Sequence, residues 1–285
     1  MAKIFVRVKN KKQFQTVLEF SPVDCLIADF SCAAIDIANI KKEYPDKTFY
    51  LQLPDVMREK KAASVEKIAE AAKGFGGIVL KSFDEIGLVK TLMEEREEFR
   101  ELKVLGDSFL YAYNTDAIAF YKNFFPEINF ILPDELTDRE AELLMQSAAK
   151  QDLAKPQDFL YKAYGYQPLM ITNQCLNRNY AGCEKPLMQF ADEQQRMFFM
   201  SSECGQCYDI VYNGQPTMML DKVEKAGSEF EIAGVRYTNL LLDFTIENEA
   251  DIKRILTDFL SAGMLSEDSP AMHKITRGHH YKGVE

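Results

Sequence analysis

The stretch SSECGQCYD holds two cysteines three positions apart, Cys204 and Cys207, the pair in this chain best suited to gripping a metal. A C-x2-C bend lets two thiolates chelate one centre, and two further thiolates complete a tetrahedral set. Two stand upstream: Cys175 and Cys183 are separated by seven residues, and twenty more lead to Cys204. Thiolates are soft ligands that favour iron–sulfur clusters and zinc over hard cations. On spacing alone these two centres fit four cysteines equally well, whereas a thioredoxin-like dithiol would use only the second pair. The flanking residues, CLNRNYAGCEKP and SSECGQC, are polar and give a buried thiol little to pack against. That argues against four small core hydrophobes. The remaining cysteines, Cys25 and Cys32, flank an apolar run and are expected in the core or at the mouth of the fold, outside the metal site.

Hydrolysis has weaker support. There is no HExxH, and the three histidines, His273, His279 and His280, all lie in the last thirteen residues. A Cys–His or Ser–His pair would need the tail folded over the site. The tail ITRGHHYKGVE is too rich in glycine and basic residues for a packed helix, and reads as a lid or a binding tail that packs over the mouth from Thr276.

Eight β-rich runs can position these residues: KIFVRV, DCLIADF, KTFYLQL, GGIVLKS, LKVLGDS, INFIL, DFLYKAY and NLLLDFTI. Most precede stretches with apolar residues three and four apart, among them KKQFQTVLEF, SVEKIAEAAKGF, FDEIGLVKTLM, NTDAIAFYKNFF, TDREAELLMQSAAK and NEADIKRILTDFL. Asn10, Ser64, Asn114 and Thr137 are expected helix caps, the last with Glu140 three residues on as a capping box. Strand–helix units recurring roughly every thirty residues predict an α/β fold, a (β/α)8 TIM-type barrel. An open doubly wound sheet is the runner-up, but no GxGxxG or Walker loop argues for one.

One interval breaks the rhythm, with about seventy residues between Tyr164 and Asn239 in place of a single helix. The expectation is a single barrel domain over 1–285, with an irregular cysteine-bearing insertion at about 166–238 between strands 7 and 8, and a C-terminal tail over 266–285. Loops that follow barrel strands open onto the catalytic face, so the insertion brings all four thiols near the mouth. Polar residues at the predicted strand ends, Asp29, Arg58, Lys81, Asp107, Asn114, Glu135 and Glu247, are candidates for substrate contact, as are Arg277 and His279 in the tail. Each could equally cap a helix or face solvent. Arg58 and Arg277 stand out because an anionic substrate suits a forked donor.

Composition bounds the function classes. The 34 basic and 44 acidic residues give a net charge of -10, which disfavours broad electrostatic binding to nucleic acid or anionic membranes. With 47% hydrophobic residues the chain can bury a full core. MAKIFVRVKN has no apolar run long enough for a signal peptide and no stretch approaches a membrane span, so a cytoplasmic location is expected. In that reducing compartment a cysteine cluster points to metal or redox chemistry instead of disulfides.

The segments YGYQPLMITNQCLNRNYAGC, SSECGQCYDIVYNGQP and LLLDFTIENEADIKRI, with the tail ITRGHHYKGVE, resemble peptidase family U-32, the collagenase-like proteins. The earlier LQLPDVMRE and GDSFLYAYN fit the same pattern, so the likeness runs from about Phe49 to Glu285 and matches the C-terminal half of the long family members. The family name implies a collagenase-like protease. Other relatives imply oxygen-independent hydroxylation of tRNA, ribosomal RNA or ubiquinone, several with a four-cysteine iron–sulfur cluster. By resemblance, then, Cys175, Cys183, Cys204 and Cys207 are the ligands of an iron–sulfur cluster, of the 4Fe-4S type, with zinc as the alternative. The implied partners are an RNA or small-molecule substrate and a second family member or the absent N-terminal half. A non-catalytic metal-bearing subunit of a family heterodimer is a further expectation.

Overall fold

Runs of β-branched and aromatic residues that alternate inward and outward pair into a closed ring of parallel strands, a (β/α)8 barrel. The computed structural model describes residues 2–57, 64–176, 187–204, 207–226, 229–262 and 275–281. The barrel strands are β1 (Lys3–Val8), β2 (Cys25–Asp29), β3 (Thr48–Gln52), β4 (Gly77–Leu80), β5 (Lys103–Gly106), β6 (Asn129–Ile131) and β7 (Phe159–Thr172), closed by a last strand, Asn239–Asp243, which pairs with both β7 and β1. All eight coincide with the runs legible in the sequence.

The connecting helices are α1 (Lys11–Leu18), α2 (Ile37–Glu43), α3 (Val65–Ala72), α4 (Phe83–Glu95), α5 (Thr115–Lys122) and α6 (Asp138–Lys150), with α7 (Glu249–Ala262) after the last strand. The four expected caps form. Asn10, Ser64, Asn114 and Thr137 each accept first-turn backbone N–H groups, and Glu140 closes the capping box at Thr137. Apolar residues between helices and sheet make one continuous shell, from Val6 and Phe14 round to Leu256 and Phe259. Each such side chain contributes about 1.5–3 kcal/mol on burial.

Over its described residues the insertion is mostly strand, not irregular. It carries β8 (Leu187–Ala191), β9 (Met197–Glu203) and β10 (Tyr208–Met218), then β11 (Glu224–Ala226), β12 (Glu229–Ile232) and β13 (Val235–Tyr237), so the closing strand is β14. Strand β7 does not stop at the rim. At Gly165 it faces Asp243 of β14 on one side and Thr217 of β10 on the other, then runs on antiparallel to β10. A Cβ at Gly165 would lie 2.9 Å from the Asp243 Cβ, so glycine is what lets the strand turn from one partner to the next. Beyond β10 the sheet continues antiparallel through β9 to the edge strand β8.

The three-stranded sheet β11–β12–β13 buries Phe230, Ile232, Val235 and Tyr237 in the core shell and packs on β7, β14 and α6, the place a seventh barrel helix would otherwise cover. Among the described residues no helix is long and apolar enough to cross a membrane.

Candidate functional site

Inward positions recur every second residue along a strand, which divides the lumen into layers. The lower layer is apolar. Phe5, Ile27, Tyr50, Val79, Leu105, Ile131, Leu160 and Leu241, one from each barrel strand, pack together with Cys25. Two residues further along, at or just past the strands' C-terminal ends, stand Arg7, Asp29, Gln52, Lys81, Asp107, Lys162 and Asp243, with Pro133 after β6 the exception. The floor of the mouth is thus a ring of buried ionic groups.

Its charges are paired. Arg7 donates to Asp107 at 2.5 Å and to Asp243 at 3.3 Å. Lys162 reaches Asp134 at 2.5 Å, and Lys81 pairs with Asp55 while its ammonium lies 5.1 Å from the centre of the Phe109 ring. Lys9, just past β1, bridges Asp29 at 3.3 Å and Glu203 at 2.8 Å. Burial opposes the charge on Lys9, but Asp29, Tyr212 and Glu203 outweigh it and hold the amine protonated far above the ordinary lysine value. Burial also works against the carboxylates of Asp55 and Asp107. Lys81 and Lys9 overcome it at the first, Arg7 and Lys81 at the second, and both stay below the usual carboxylate range.

Strand β10 lies across this ring. Tyr208, Ile210 and Tyr212 pack with Val56, Tyr166, Phe199 and Ile246 to cover it. The cavity left beneath, lined by Arg7, Lys9, Gln52, Lys81, Lys162 and Tyr212 among others, is about 30 Å³. That admits a water molecule and no organic substrate.

The cysteine hairpin is anchored to the same ring. Cys204 and Cys207 form the turn between β9 and β10, directly after Glu203 and directly before Tyr208, which pair across the ladder. Glu203 is held by Lys9 at the end of β1. The Tyr208 hydroxyl accepts the Asp55 N–H at 3.2 Å and donates to the Asp55 carboxylate at 3.4 Å, just past β3. Cys207 has a left-handed backbone, φ 59°, and its N–H donates to the Glu203 carbonyl at 2.7 Å. Left-handed non-glycine residues are sparse and gather at functional turns.

Cys175 comes to the same end of the sheet. Thr172 of β7 faces Asp209 of β10, and the buried Asp209 carboxylate accepts the Leu176 N–H at 2.6 Å. The three described thiols therefore collect at one end of the β7–β10–β9 ladder, Cys204 exposed and the other two half-buried. Cys183 lies outside the described residues. Among the described residues no three His, Cys, Asp or Glu side chains already converge as metal ligands. Thiols as donor types suit iron–sulfur or zinc over hard cations. Cys25 and Cys32 differ: both are buried and packed, and burial pushes each thiol up to about 12. They remain neutral thiols at physiological pH.

The other expected residues scatter. Asp29, Lys81 and Asp107 belong to the ring. Arg58 lies outside the described residues. Asn114 is a helix cap and accepts the Ala117 N–H at 2.9 Å. Glu247 accepts the Thr245 N–H at 2.6 Å beside α7, and burial raises its carboxyl to about 7. The fork of Arg277 is engaged, with both ends on Asp221 at 2.5 and 2.7 Å and one on the Met218 carbonyl. Thr276 bridges Thr217 of β10, and His280 Nδ1 lies 3.1 Å from Asp138 and 3.0 Å from the Tyr161 hydroxyl, which ties the described part of the tail to the rim. Glu135 and His279 line a second, larger cavity of about 450 Å³ between the loops after β5 and β6 and this tail.

Arg7, Lys9, Lys162, Asp243, Asp55 and Glu203 escaped the sequence reading. Four of them sit in or at the ends of strands already recognised, at inward parity, and that parity was the available signal.

No family model matches the chain, and no curated protein matches it. Among solved structures it is similar to a protein from Aquifex aeolicus VF5, at 16% identity over 56% of this chain and 74% of that one, TM-score 0.38. It is similar to KGPDC from Streptococcus mutans, at 15% identity over 56% and 77%, TM-score 0.38. It is also similar to the glycerol uptake operon antiterminator regulatory protein from Listeria monocytogenes str. 4b F2365, at 10% identity over 56% and 79%, TM-score 0.34. Likenesses this distant carry nothing about activity, and the barrel stands on its own strand pairings.

Proposed function

We propose that this chain is an iron–sulfur-type barrel protein that assists oxygen-independent hydroxylation of an RNA or a related substrate, the role implied by its resemblance to the peptidase U-32 family. The observation that carries the reading is the clamp on the cysteine hairpin, Glu203 to Lys9 on one flank and Tyr208 to Asp55 on the other. A turn that only connected two strands would not need both ends tied to buried charges of the barrel.

Cys175, Cys183, Cys204 and Cys207 would hold the centre. When bound, a cluster of this kind supplies one-electron transfer. The chain's own contribution is positional and electrostatic. Lys9 and Asp55 fix the hairpin over the ring, and Tyr208, Ile210 and Tyr212 keep bulk water from the charges beneath. Substrate therefore approaches from the open flank and not through the lumen.

A peptidase of the Cys–His or Ser–His type would need an imidazole beside its nucleophile. Among the described residues His280 is held by Asp138 and Tyr161 on the β6–β7 side, across the barrel from the hairpin's anchors at β1 and β3.

Metal and acid-labile sulfide analysis of anaerobically purified protein tests the proposal. Iron, sulfide and visible absorption are expected in the parent protein and in Cys32→Ser, and their loss in Cys204→Ser and Cys207→Ser. Colourless protein that holds zinc would replace electron transfer with a structural centre. Metal-free protein would overturn the reading.

A further inference from the structure

The 450 Å³ cavity on the β5–β7 flank abuts the ionic ring, since Phe109 and Pro168 line both. Its volume lies within the roughly 300–1,000 Å³ of small-molecule pockets. Tyr111 stands at its edge, 54% exposed and with φ 52°, an unusual backbone for an aromatic residue. The loop that presents it is firmly built. Asp107 accepts the Phe109 N–H, the Tyr111 N–H donates to the Ser108 carbonyl at 3.1 Å, and the Tyr121 hydroxyl donates to the Leu110 carbonyl at 2.5 Å. One face of Tyr111 is backed by Tyr113, nearly parallel at 14° with centroids 5.7 Å apart. The Tyr113 hydroxyl donates to Glu135 at 2.6 Å, which keeps that carboxylate beside the aromatic pair. Asp134, Gln167 and Asn213 add polar groups to the wall.

An aromatic pair with an exposed edge residue suits a flat, polarisable ring. Glu135 and Asp134 can accept hydrogen bonds from amino groups, and they repel phosphate. We infer that this cavity is a subsite for a single nucleobase bearing an exocyclic amine, which stacks on Tyr111 and donates its amine to Glu135. Adenine, cytosine and guanine carry that donor and uracil does not. The sugar–phosphate lies outside, away from the carboxylates. The inference rests on the proposed function in taking the substrate to be RNA-like, but it involves none of the cysteines.

Equilibrium binding of fluorescein-labelled oligo(rA), oligo(rC) and oligo(rU) at low salt, with free adenosine as competitor, tests it. Oligo(rA) or oligo(rC) should bind more tightly than oligo(rU). Tyr111→Ala should weaken the favoured strand about ten-fold, and Tyr111→Phe should restore it. Glu135→Gln should erase the preference over oligo(rU). Competition by adenosine would show that a free nucleoside fills the subsite, and binding of strands alone would show that it needs a polymer. No binding of either, or a Tyr111→Ala protein that matches the parent, overturns the inference. Metal content unchanged in Tyr111→Ala keeps this outcome separate from the fate of the metal site.

Discussion

The two flanks of the barrel mouth are built on opposite principles. On the β1–β4 flank, Lys9, Asp29, Glu203, Lys81 and Asp55 are sealed under β10, every one committed to a partner, and the cysteine hairpin hangs from them. On the β5–β7 flank, Tyr111, Glu135 and His279 are exposed around an open cavity. A buried ion pair is costly to assemble and costly to break, so it fixes geometry more than it adds stability. An exposed aromatic and a carboxylate cost little and are free to meet a ligand. The contrast assigns positioning to the first flank and recognition to the second.

The sharpest way to break this contrast is to remove Lys9. Lys9→Met leaves Asp29 and Glu203 buried without their cation and should cost about 3–5 kcal/mol in denaturant unfolding, together with loss of bound metal. Glu135→Gln, on the open flank, should change stability by less than about 0.5 kcal/mol. Equal effects would erase the distinction.

Acidity separates buried carboxyls by sign. Asp55 and Asp107 are depressed below their ordinary 3.8, so their contribution to stability is full above that value and is lost as pH falls through their lower folded values. Glu247 and Glu85 are raised from 4.5 to about 7 and about 8, so the folded state holds protons the unfolded chain releases. Their contribution is full below pH 4.5 and fades as pH rises through 7 and 8. Glu247→Gln should flatten the loss between pH 4.5 and 7, as read from unfolding curves across that range. An unaltered slope would contradict the assignment.

A smaller effect is expected at Tyr208→Phe, which removes both hydroxyl contacts to Asp55 and should cost about 1 kcal/mol while loosening the hairpin. Faster alkylation of Cys204 in the variant would report the loosening. Smallest of all, Asn114→Ala should cost about 0.5–1 kcal/mol as a lost cap, with metal content and base binding untouched.

The barrel was legible because its signals are local: period-two runs, three- and four-residue helical spacing, and caps at Asn10, Ser64, Asn114 and Thr137. The ionic ring was legible only at the strand ends, Asp29, Lys81 and Asp107, because Arg7 or Lys162 within a strand looks like a surface residue until closure makes its parity inward. Strands β8 to β10 were missed for a related reason. Leu187, Phe190 and Met197 are exposed on this sheet, so polar and apolar residues do not sort by face as they do in a core strand. The cysteine spacing was plain, yet the residues that hold it, Glu203 and Tyr208, gain meaning only from contacts about 150–190 positions away in sequence with Asp55 and Lys9.

X-ray absorption at the metal edge of anaerobically purified protein reads the ligand set directly. A first shell of sulfur at about 2.3 Å, with an iron neighbour if the centre is a cluster, is the predicted result. It should persist in Cys25→Ser and collapse in Cys204→Ser. A shell of oxygen and nitrogen alone, or a metal retained after both hairpin cysteines are removed, would contradict it.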